Sequence, residues 1–242
     1  MTPHPATPSN ASPGISSCRR CGTCCRNGGP AFHLADRHLI ESGRIPPRRL
    51  FTIRAGEPVR DNVADRIQTA DTDLIKLRET DGRPQCICYD PAAGCTIYPD
   101  RPLECRVLDC RDTGPITDLY QKDRLTRHDL FSAIPDLWRL IQDHQDHCAY
   151  DRVRRAVEDL ARPDREAALS RLSTMLEMDR MVRSQPVQNG LVPEEWTDLL
   201  FGRPLCRTLA GFGLRVTPTE RGFHIRPQTS ALPLFPPSTP PK

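Results

Sequence analysis

Aromatic residues are scarce in this chain, at 5% of 242 positions, and hydrophobic residues of every kind reach only 37%. One or two domains with a modest core are therefore expected. No apolar run is long enough to cross a membrane. Lysine is confined to Lys76, Lys122 and Lys242; the rest of the positive charge is arginine interleaved with acids, for a net charge of +3. That weak and dispersed charge argues against nucleic-acid binding. The start Met1-Thr2-Pro3-His4-Pro5 has neither the basic opening nor the apolar stretch of a secretory signal, so a cytoplasmic location is expected. Also lacking are a phosphate-binding loop, a recognisable Ser-His-Asp arrangement and a paired-carboxylate site.

Cysteine is what the chain has in quantity, with 11 residues. Four of them, Cys18, Cys21, Cys24 and Cys25, fall within eight residues. Successive CxxC spacings place thiolates around a short turn, where several can grip one metal centre. Cysteines this close are hard to pair with one another as disulfides. In a reducing compartment such clusters are metal ligands or reactive thiols. An odd number of cysteines also rules out complete intramolecular pairing. A second group follows at Cys86, Cys88, Cys95, Cys105 and Cys110. Strand alternation would put Cys86 and Cys88 on one face, without deciding which approaches a metal. Arg101 and Arg106 could donate to thiolates or sulfides, though an ordinary ion pair is the expectation for each. His33 and His38 are expected to hydrogen-bond carboxylate or backbone more readily than to complete a metal shell.

These residues resemble the bacterial CxxCxxCC cysteine-cluster family (YkgJ type), described as zinc- or iron-chelating. The opening pattern is Cys18, Cys21, Cys24 and Cys25. A cysteine in a short strand (Cys86), a Cys-x-Ile-Tyr run (Cys95 to Tyr98) and an Arg-Pro-x-x-Cys-Arg run (Arg101 to Arg106, with Cys105) follow. Cys110 supplies an eighth thiol, and Cys88 departs from the family pattern. The resemblance implies a metal-binding region but no reaction, substrate or partner. Two occupants fit the thiols: an iron–sulfur cluster or iron, with a redox or metal-dependent role, or zinc in a non-catalytic module that engages another protein. Soft sulfur suits both. The run Cys18-x2-Cys21-x2-Cys24 matches three ligands of a ferredoxin-type cluster, with a remote cysteine such as Cys105 needed to close it.

The expected fold is α+β and mainly α. Residues 1–17 and 227–242 read as disordered arms, the latter rich in proline. Residues 18–115 read as a small domain nucleated by metal, and 116–226 as a helical region ending in a β-hairpin. A short helix is expected after His33, with Leu34, His38 and Ile40 inward and Gly43 as its stop. Pro46-Pro47 is expected to open a second helix carrying Leu50, Phe51 and Ile53. Residues 57–73 read as loop. Leu74–Arg78 and Gln85–Tyr89 read as strands joined at Asp81-Gly82. Helical periodicity runs from about Ser132 to Leu160 and from Pro163 to about Arg183. His144 and His147 share a face there and could bind a metal, but a solvated polar face is the expectation, while Cys148 reads as core and Cys206 as structural. Pro193-Glu194-Glu195-Trp196 is expected to start a helix ended by Gly202, and Leu214–Ile225 alternates as a hairpin.

Overall fold

A computed structural model describes residues 18–228, apart from Asn62, Asp81 and Arg221. The expected arm 1–17, the tail beyond residue 228 and Asp81 of the expected turn lie outside the described residues. The chain is α+β and mainly α. Its elements run α1 (Arg37–Glu41), β1 (Leu50–Ile53), β2 (Pro58–Asp61), β3 (Arg66–Thr69), β4 (Leu74–Leu77), β5 (Tyr89–Asp90) and β6 (Gly94–Cys95). Then come α2 (Leu103–Val107), α3 (Gly114–Leu119), α4 (Arg127–Phe131), α5 (Pro135–His147), α6 (Tyr150–Asp159) and α7 (Arg165–Gln188). The series closes with α8 (Thr197–Phe201), α9 (Leu205–Thr208), β7 (Leu214–Thr219) and β8 (Gly222–Pro227). All the strands described pair as antiparallel twos: β1 with β4, β2 with β3, β5 with β6 and β7 with β8.

Several expectations hold at the element level. Leu74–Leu77 is a strand, Pro135 starts α5 at its first turn, and Gly202 ends α8 with φ +74°. The terminal hairpin pairs Val216 with Ile225 and Pro218 with Phe223. Strand β8 reaches Pro227, so order extends to the first residue of the expected tail.

Other expectations give way to tertiary contacts. Pro46-Pro47 opens only a short 3-10 turn, Pro47–Arg49, and Leu50–Ile53 continues as a strand with all four residues buried. Here Leu50 pairs with Leu77 and Ile53 with Leu74, and α8 packs on the strand. Burial on all sides removes the alternation that marks a strand in sequence. The partner expected for β4, Gln85–Tyr89, keeps only an isolated bridge between Glu79 and Cys86, because β1 takes the place beside β4. Residues 57–73 hold the β2–β3 hairpin rather than a loop. In α1 the inward residue is Leu39; Leu34 and His38 face solvent. The long helical stretch breaks at Cys148–Ala149 into α5 and α6.

The main core gathers Phe32, Leu39, Leu50, Ile75 and Leu77 with Leu125, Phe131, Ile141 and Leu199–Phe201. A second core lies between α6, α7, α9 and β7, around Val153, Leu172, Leu176, Leu205 and Leu209. Backbone bonds knit the segment after the first cysteines onto β4. Phe32 N donates to Ile75 O (2.8 Å), Leu77 N to Pro30 O (3.1 Å) and Leu125 N to Phe32 O (2.9 Å). This ladder brings the two cysteine groups together.

Candidate metal centre

Cys24 and Cys25 lie on a 3-10 turn, Cys24–Asn27, whose chain then passes tightly against β4. A methyl group at Gly29 would collide with the Leu77 carbonyl, so only glycine allows this approach. Gly22 has φ +74° and lies flat against the Tyr89 ring. Arg26 reinforces that contact, donating to the Tyr89 hydroxyl (3.0 Å) and to the Cys21 carbonyl (3.3 Å). The two cysteine segments meet directly where Cys86 N donates to Cys25 O at 2.7 Å. The Cys88 carbonyl accepts from Thr96 N (2.9 Å), which fixes Cys95 beside them. Buried Cys86 and Cys88 flank exposed Ile87, so the expected one-face arrangement survives in a turn.

The thiols sort by the charges they impose on one another. Burial, followed by the charges of Cys86, Cys24, Cys25 and Cys95, holds Cys105 well above an ordinary thiol pKa. Burial and then Cys24 push Cys25 up to about 12, with Cys86 and Cys95 adding to the effect. Cys95 is raised by burial and by Cys86 and Cys18. Cys110, on the other side, is raised by its partial desolvation and by Cys24, Cys21 and Cys18. The charges acting on these thiols group Cys25, Cys86, Cys95 and Cys105 on the inside and Cys18, Cys21, Cys24 and Cys110 on the outside, with Cys24 also acting on Cys105 and Cys18 on Cys95 across the boundary. The two groups meet at Cys24 and Cys25, whose sulfurs are 4.0 Å apart. Burial first, and mutual repulsion after it, disfavours the thiolates of Cys25, Cys95 and Cys105 until a cation arrives to stabilise them.

Cys24, Cys25, Cys86, Cys88, Cys95 and Cys105 line one wall of a cavity of about 700 Å³. Arg49 donates toward Cys88 Sγ at 3.8 Å. A hydrogen bond from Cys86 lowers the pKa of Cys88 and raises that of Cys86. Arg101 does not reach a thiol; it donates to the carbonyls of Tyr98 (3.0 Å) and Cys105 (3.4 Å) and stacks with Arg20 on the Tyr98 ring. Arg106 makes the expected ion pair, with Asp36 at 3.2 Å. His33 is fully buried between the Lys122 carbonyl (2.7 Å) and Glu104 (3.4 Å), so its ring is already engaged.

Sequence reasoning missed a second cluster. His144, read as solvated, is wholly buried in α5 and bonds Asp179 of α7 at 2.8 Å, with Cys148 close by. This is the one trio of potential ligands among the described residues whose donor atoms all lie within 4.8 Å of one another. Its surroundings oppose a cation. Asp179 also accepts from Arg183 (3.0 Å) and Leu205 N (2.9 Å), and the charges of Arg54 and Arg183 act on His144. Burial lowers the His144 pKa to about 4, which keeps the ring neutral. Burial works against the Asp179 carboxylate, but the bonds from His144 and Arg183 outweigh it and hold its pKa at about 2. Cys148 is core, as expected, and Cys206 lies half-buried at the second core. The only sequence signal for the cluster was the four-residue step from His144 to Cys148, one helical turn on an otherwise apolar stripe.

Two thiol-rich groups meet where the cysteine segments pack beside β4. Residues 17–119 match the CxxCxxCC family model, described as "Putative zinc- or iron-chelating domain". Neither the curated proteins nor the solved structures contain a match to the chain. The family resemblance read from the cysteine spacing therefore stands over that region, and it supports metal binding there. Among the described residues, no helix is long and apolar enough to cross a membrane.

Proposed function

We propose that Cys18, Cys21, Cys24 and Cys110 hold an iron–sulfur cluster, and that Cys25, Cys86, Cys95 and Cys105 hold an iron or zinc ion beside the cavity. Residues 18–115 then form the metal-binding unit of a cytoplasmic redox or metal-dependent protein. The observation that carries this reading is the sorting of eight thiols into two adjoining fours. Cys18-x2-Cys21-x2-Cys24 has ferredoxin-type spacing, and Cys110, rather than Cys105, is the thiol that feels all three of those residues. Such a cluster supplies one-electron redox chemistry; the chain supplies soft donors and the arginines around them.

A second reading is a structural zinc module that docks another protein. Four thiols per group favour it, because a full set of protein ligands leaves no open coordination position.

Serine variants made without oxygen test the ligand sets. Cys21→Ser and Cys110→Ser should lose iron and sulfide together, Cys105→Ser should lose the second metal, and Cys206→Ser should match wild type. Equal metal content in all four would refute the assignment.

A further inference from the structure

The cavity that the cysteines line has a second wall. Lys76 on β4 and Arg124 face it, with Val59, Leu74, Ile116 and Thr117. Lys76 occupies the alternate position of β4, opposite buried Ile75 and Leu77, which turns its side chain into the cavity. Among the described residues, neither cation has a hydrogen-bonded acceptor or a contact ion pair. Arg124 only stacks on the Tyr120 ring, 4.9 Å from its centroid. The two are close enough for the charge of Arg124 to act on Lys76.

Two of the nearby carboxylates, Asp61 and Glu104, are engaged elsewhere, while Glu79, whose charge also acts on Lys76, and Asp71 at the cavity lining are exposed. Asp61 accepts from Val63 N, Ala64 N, Gln68 and the Tyr120 hydroxyl. Glu104 accepts from Ala31 N at 2.8 Å and faces His33. Its charge attracts both cations without bonding either. Lys76 and Arg124 thus present their N–H donors to a chamber in which Asp61 and Glu104 are already engaged. Burial lowers the pKa of both side chains, and a bound oxyanion would stabilise their charged forms through charge-assisted hydrogen bonds.

We infer that this chamber binds a small organic oxyanion, its carboxylate or phosphate head on Lys76 and Arg124 and its apolar body along Val59, Leu74 and Ile116, next to the inner thiols. The inference deepens the proposed function only in calling the opposite wall a metal centre; the anion site itself stands on Lys76 and Arg124.

Calorimetry on the full chain with its metal loaded, using hexanoate, hexyl phosphate and inorganic phosphate, tests it. One of the two organic anions should bind at one per chain and at least about tenfold more tightly than inorganic phosphate, and which one binds identifies the head. Lys76→Gln and Arg124→Gln should each weaken binding about tenfold or more while keeping wild-type metal content. Thr117→Glu, on the exposed face of α3, should weaken it through added negative charge even if the core variants fold poorly. No binding by any probe, or equal binding by wild type and Thr117→Glu, would overturn the inference. Anion binding by a protein that holds only zinc would leave this site standing and remove the iron–sulfur reading.

Discussion

Cys24 and Cys25 show how one step along the chain assigns neighbouring sulfurs to different surroundings. Cys25 looks inward to Cys86, Cys95 and Cys105, while Cys24 also borders the exposed group with Cys110. Their presence was legible from spacing. Which remote cysteine joins which group was not, because that depends on how residues distant in sequence stack on β4. His144 was misread for a related reason. Periodicity placed it on α5 but could not reveal Asp179, 35 residues away on another helix. Its pKa is depressed from 6.5 to about 4, so between those values the unfolded chain binds more protons than the folded one. Stability from this residue is fully present above 6.5 and is lost as pH falls toward 4. Urea unfolding should therefore give lower stability at about pH 5 than at about pH 7, with a smaller difference in His144→Gln. An unchanged difference in the variant would assign the pH effect to other groups.

At the scale of elements, the close pass of Gly28-Gly29-Pro30 against β4 joins the first cysteine segment to the second. Gly29→Ala puts a methyl group into the Leu77 backbone, which cannot yield as a side-chain tip could. The substitution should cost about 2 kcal/mol and lower metal content at the same time. Wild-type melting temperature and metal content would show that the close pass is dispensable. Strands with one buried face, β4 and β7, were readable because Ile75 and Leu77, or Leu214 and Val216, alternate with polar neighbours. Strand β1 was not readable, since Leu50, Phe51, Thr52 and Ile53 are all buried. The β2–β3 hairpin escaped because Arg66–Thr69 has no fully buried residue and Pro58–Asp61 only Asp61.

At the scale of the molecule, the main core ties the cysteine-bearing segments to α4, α5 and α8, whereas the second core closes among α6, α7, α9 and β7 without them. Removing metal should therefore loosen the cysteine region first. Hydrogen exchange after chelation should rise across residues 18–115 and stay low around Val153, Leu172 and Leu205. A uniform rise would mean that the whole chain depends on its metal; no change would mean that metal contributes nothing to folding.

Metal and acid-labile sulfide content after oxygen-free purification, with the visible spectrum recorded alongside, bears most directly on the central claim. Iron with matching sulfide, and a colour bleached by reductant, is the predicted result. A colourless protein holding only zinc would contradict it.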